Sequence, residues 1–249
     1  MNRIQNPATS AEKAPAASKF RVESGLFVTH PTRDCSHSLF GPKHYESGYA
    51  YPLIVWIHAP DSSEQQLVRI MPSISLRNYV AVAPRGFALD EKSGSQQQYG
   101  WPQTPEEIQE AEARVYQSIE IAKEKFHVAE DRVFLAGFGA GGTMAFRVAM
   151  NDPGRFAGVL SLCGAFPSGH TPFGRLTLAR QLPVYLAVGR DSTDYPPAEA
   201  CENLRLFHAA GLSIVLRQYP CGQELTEQML RDVDRWVMEQ ITAGPDRVE

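Results

Sequence analysis

A chain of 249 residues with 43% hydrophobic and 21% charged side chains has the makeup of a soluble globule with material for one sizeable core. Its 24 Lys and Arg against 28 Asp and Glu leave a formal charge of −4, which argues against nucleic acid or an anionic membrane as the main partner. Four scattered cysteines (Cys35, Cys163, Cys201, Cys221) include no C-x-x-C pair, so neither a metal centre nor a disulfide framework is expected, and a reducing cytoplasm is.

The opening stretch MNRIQNPATSAEKAPAASKF holds no apolar h-region and reads as a solvated tail over residues 1–18. The folded domain is expected over 19–243, with a second tail at 244–249. FRVESGLFV (20–28) suits an antiparallel hairpin at the edge of a sheet. Apolar runs then recur along the chain: LIVWI (53–57), YVAVA (79–83), VFLA (133–136), GVLSL (158–162), VYLAV (184–188) and SIVLRQY (213–219). Such continuous runs indicate strands covered on both faces, as parallel strands are. Helical patterns separate them. The clearest begins at TPEE, with Thr104 as N-cap, Pro105 at N1 and Glu107 closing a capping box. Ile108, Ala111, Val115, Ile119, Ala122 and Phe126 follow at three- and four-residue spacing. The last helix aligns Leu225, Met229, Val233, Trp236 and Ile241. Strand and helix in alternation predict an α/β fold, a doubly wound and mostly parallel sheet in a single domain. No apolar run approaches the ~20 residues that span a bilayer, so no membrane association is expected.

Residues 132–147, RVFLAGFGAGGTMAFR, admit two readings. Gly137, Gly139 and Gly142 fit G-x-G-x-x-G, a dinucleotide loop. That loop wants an Asp or Glu about 20 residues on to hold the ribose. The next strand instead ends at Leu162-Cys163-Gly164, with no acid. The same stretch also fits G-x-S-x-G, the sharp strand-to-helix elbow that presents a nucleophile, with Gly139 where the serine stands. Gly137 and Gly141 are then the small residues that let strand and helix approach. The nucleophile of an elbow adopts φ > 0, so glycine there keeps the turn, relieves strain and removes the chemistry.

LIVWIHAPDSSEQQL, NYVAVAPRG, RVFLAGFGAGGTMAFRVAMNDPGRFAGVLSLCG and RQYPCGQELTEQMLRDVDRWVMEQI resemble α/β-hydrolases of the phospholipase/carboxylesterase group. They are also similar to feruloyl-esterase and dienelactone-hydrolase-like proteins, in the same order and over about residues 50–241. The resemblance implies hydrolysis of carboxylic esters by a Ser-Asp-His triad. It places HGxG after the first parallel strand, GFSxGG at the elbow, Asp after the next-to-last strand and GH before the final helix. Carried over, these positions read differently here. Gly139 stands at the nucleophile and Gln223, in Cys221-Gly222-Gln223, at the base. A carboxamide cannot take a proton near neutral pH. The acid loop GRDSTDYP puts Ser192 in the slot of the acid, with Asp191 and Asp194 as the candidate acids on either side. The oxyanion loop survives in outline as His58-Ala59-Pro60-Asp61. Pro60 has no N–H to give, and the Ala140 amide is the remaining donor.

Losing a triad's serine or histidine costs about 10⁶ in rate, so ordinary serine esterase activity is not expected. The reading is a degenerate hydrolase, without cofactor, that keeps a small-molecule pocket or an interaction surface. The alternative is an active hydrolase with substitute residues. Cys163 or Cys221 would be its nucleophile, and His58 or His170 its base. A minor alternative is nucleotide binding through Gly137, Gly139 and Gly142.

Overall fold

Eight strands make one sheet in the computed structural model, which describes residues 27–31, 36–89, 97–167, 169 and 174–243. β1 (Phe27–Pro31) and β2 (Ser36–Phe40) pair antiparallel, and β2 lies antiparallel to β4 (Val80–Pro84). β3 (Tyr51–Ile57) is parallel to β4 on one side and to β7 (Val128–Phe138) on the other. The parallel part continues through β8 (Gly158–Leu162), β9 (Val184–Gly189) and β10 (Ile214–Tyr219), giving the order β1-β2-β4-β3-β7-β8-β9-β10. A separate two-stranded sheet pairs β5 (Phe87–Ala88) with β6 (Tyr99–Gly100).

The antiparallel edge expected at 20–28 is built from 27–40, and residues 20–26, like both predicted tails, lie outside the described residues. Each predicted apolar run lies within a strand or overlaps one by all but a residue. β7 is longer than VFLA suggests, because exposed Glu130 and Asp131 interrupt its apolar run without ending its extended backbone. β3, β4, β8 and β9 are buried at every residue, whereas β10, at the open edge, leaves Val215 42% exposed.

Pleating divides β3 between two cores. Leu53, Val55 and Ile57 face the layer formed by α2 (Pro105–Lys125), α3 (Ala140–Asn151), the short α4 (Leu176–Ala179) and α5 (Pro197–Ala210). Ile54 and Trp56 face α1 (Gln66–Ile74) and α6 (Glu227–Thr242). Burial of each such side chain is worth about 1.5–3 kcal/mol. Helix ends follow local chemistry. Thr104 Oγ1 accepts from the Glu107 amide at 3.4 Å and donates to Glu107 Oε2 at 2.7 Å, so the box closes on the hydroxyl. Phe126 and Leu225, read as helical, lie just outside α2 and α6, yet both still pack on the core. Thr226 caps α6, its hydroxyl accepting from Met229 N at 3.2 Å. None of the described helices is long and apolar enough to cross a membrane.

Candidate functional site

In an open parallel sheet, side chains that meet a ligand come from the loops after the strands' carboxyl ends. Six such loops meet here, after β3, β4, β7, β8, β9 and β10. β7 turns into α3 at Gly139, which is buried and has φ +57° and ψ −128°, the sharp reversal expected of an elbow. Gly137 and Gly141 are required by contact, not by φ. A Cβ on Gly137 would sit 2.5 Å from the Gly141 carbonyl, and one on Gly141 would run into the Ile57 and His58 carbonyl oxygens. Gly142 is likewise close to Ser161 Oγ and the Gly137 carbonyl. The glycine spacing that resembles a dinucleotide loop is thus accounted for by the close approach of β7 and β8 to α3 at Gly137 and Gly142 and by the positive φ at Gly139.

A Cβ on Gly139 would stand 3.2 Å from Pro60 Cδ and 3.9 Å from Gln223 Nε2, so the structure brings these three positions together. Gln223 Nε2 donates to the Cys163 carbonyl at 2.7 Å, and Gln223 Oε1 accepts from Ser192 Oγ at 2.7 Å. The two candidate acids point elsewhere. Asp191 is exposed, and Arg190 holds its carboxyl below the usual range with hydrogen bonds of 3.1 Å to each oxygen. Asp194 is exposed and accepts from Thr193 Oγ1 at 3.2 Å. Asp191 and Asp194, expected as candidate acids, thus lie turned away from Gln223, and the buried Ser192 is the residue that meets it. The reason is local. Asp191 N donates to the Cys221 carbonyl at 2.9 Å, which ties the loop after β9 to the one after β10 and turns residue 192 inward.

The loop after β3 is held by His58. The Gly86 amide donates to Nε2 at 2.9 Å, so Nδ1, 2.8 Å from the Ala59 carbonyl, carries the ring's proton. Both nitrogens face backbone, and Trp101 Nε1 donates to the His58 carbonyl at 3.1 Å. His58 is a buried structural anchor and not placed as a base. Ala59 N–H, a candidate oxyanion donor, is taken by Gln66 Oε1 at 3.0 Å, which also accepts from Trp56 Nε1 at 2.8 Å. Nothing in the motif spacing signalled Gln66. Ala140, partly exposed at the first position of α3, keeps its place beside Gly139.

Burial pushes the His58 ring down to about 4 from 6.5. The folded state therefore holds it neutral while the unfolded chain protonates it below about pH 6.5. The resulting stability is fully present above pH 6.5 and is lost as pH falls toward 4, to a total of about 3 kcal/mol. Urea unfolding is expected to show that decline in the wild type and a shallower one in His58→Gln. Equal slopes in the two proteins would remove His58 from the account.

Cys163 follows β8 with φ +52° and is 2% exposed. Burial pushes its thiol up to about 11, far from the thiolate a nucleophile needs. Cys221 is 7% exposed, and burial raises its thiol as well. The fourth suggested participant, His170, lies outside the described residues. Among the described residues no group of three or more His, Cys, Asp or Glu could hold a metal ion.

The sequence profile described as phospholipase/carboxylesterase matches residues 81–241. Among solved structures, a carboxylesterase from Mesorhizobium loti is similar at a TM-score of 0.67 and 18% identity, over 90% of this chain and 100% of that one. A carboxylesterase from Bacillus cereus gives 0.65 and 14%, over 83% and 95% of the two chains. A ferulic acid esterase gives 0.66 and 13%, over 87% and 98%. At these identities the structural likeness is one of fold.

Proposed function

The chain belongs to the phospholipase/carboxylesterase family of α/β-hydrolases, and we propose that within it this protein is a hydrolase without turnover, its framework retained for a ligand-binding or interaction role. One observation carries the proposal. Over Gly139, in the place of a histidine, the Gln223 carboxamide is fixed between Ser192 Oγ and the Cys163 carbonyl, both at 2.7 Å. Its oxygen is already engaged, and an amide nitrogen has no basic lone pair. Without nucleophile or base, about 10⁶ in rate is forfeited. Pro60 supplies no oxyanion amide, and the Ala59 N–H is engaged by Gln66. Removal of one such donor costs a further 10²–10³ or so.

Substitute chemistry finds less support. A thiol pushed up to about 11 is roughly one part in 10⁴ thiolate at pH 7, and His58 has no nitrogen to spare. The protein is expected to hydrolyse p-nitrophenyl butyrate no faster than a protein surface does, and to resist a fluorophosphonate probe. Saturable turnover that vanishes in Cys163→Ala or Cys221→Ala, or covalent labelling of one defined residue, would defeat the proposal.

A further inference from the structure

Two hydrogen bonds, one at each end, set the orientation of the Gln223 carboxamide. The Cys163 carbonyl can only accept, so it selects the amide face that presents Nε2, at 2.7 Å. Gln223 Oε1 is thereby turned to Ser192, and it too can only accept. Ser192 Oγ accepts from the Tyr195 amide at 3.2 Å, which leaves its single proton for Oε1 at 2.7 Å. We infer that Ser192 is a positioning residue, matched to Gln223, whose hydroxyl locks the carboxamide over Gly139. The meaning of the lock rests on the silent-hydrolase reading, but its geometry does not. The bond runs opposite to an acid–histidine pair, in which the carboxylate accepts. An aspartate at 192 would face Oε1 acceptor to acceptor, so positions 192 and 223 have to change together. Neither neighbour can take over, since Asp191 is held by Arg190 and Asp194 by Thr193.

The test is hydrogen exchange of the Gln223 side-chain NH₂, followed by nitrogen-15 NMR and assigned with Gln223→Glu. In Ser192→Ala that exchange is expected to quicken about tenfold, the equivalent of one lost hydrogen bond. Ser192→Thr, which keeps the hydroxyl, should restore the slow exchange. Asp191→Asn and Asp194→Asn should leave it unchanged, as should the backbone amides of β9 and β10 in every variant. Unchanged exchange in Ser192→Ala overturns the inference, as does faster exchange in either aspartate variant. So does acceleration spread along β9 and β10, because the hydroxyl would then be holding the loops and not the amide. Fluorophosphonate labelling of the wild type would end the silent-hydrolase reading and leave this exchange pattern untouched, so the two can fail separately.

Discussion

Gly141→Ala is expected to cost at least about 3 kcal/mol and to lower the melting temperature by roughly 6–12 °C. The introduced methyl would collide with the carbonyl oxygens of Ile57 and His58, in and just after β3. Neither is the tip of a flexible side chain. Ile57 ends, and His58 directly follows, a strand paired with β4 on one side and β7 on the other, so relief requires α3 to lift from the sheet. Lifting α3 in turn opens the core around Met144, Ala145 and Val148, all at most 1% exposed. A loss of about 3 kcal/mol is a large part of the 5–15 kcal/mol that holds a domain together. Gly48→Ala is the control, since a Cβ there meets nothing within 4 Å and its φ is not positive. Thermal unfolding of the two variants side by side decides the matter. Equal melting temperatures would mean that the close approach of β3 and α3 is not what glycine at 141 serves.

How far the sequence discloses this arrangement depends on how local each signal is. Parallel strands announce themselves because both faces are buried, so Leu53–Ile57 and Val184–Val188 are unbroken apolar runs. The elbow is legible because collision and backbone strain each demand glycine at set spacings. β5 and β6, two residues each, bury too little to leave a pattern. The partners of Gln223 are harder to read. Ser192 is marked by its slot in the family's spacing, whereas its charged neighbours Asp191 and Asp194 attract the chemist's eye. Only the tie from Asp191 N to the Cys221 carbonyl shows which of the three turns inward. Gln66 carries no signal at all. Its role arises because α1 begins beside the loop after β3, a matter of tertiary packing alone.

Rebuilding the missing chemistry by steps is expected to return esterase activity late in the series. Gly139→Ser alone should stay inert and cost about 1–3 kcal/mol, because φ +57° strains any side chain and Pro60 Cδ stands 3.2 Å from the new Cβ. Adding Gln223→His supplies an imidazole 3.9 Å or so from that Cβ, judged by where Gln223 Nε2 now lies. Without a carboxylate behind it, the ring is neither held in the right tautomer nor stabilised when charged. In a serine protease that deficit amounts to about 10⁴ in kcat. Ser192→Asp, added third, should therefore raise the kcat/KM for p-nitrophenyl butyrate by about 10²–10⁴ over the double variant. Pro60→Gly, added last, restores a backbone donor that Gln66 does not engage and clears the contact with residue 139. One oxyanion donor is worth about 10²–10³. The order of gains is the stringent part of the test. If the double variant already equals the triple one, residue 192 is not behind the imidazole. If Asp191→Asn or Asp194→Asn silences the triple variant, the acid comes from the flank. And if Gly139→Ser raises the melting temperature, residue 139 is not the strained apex of the elbow.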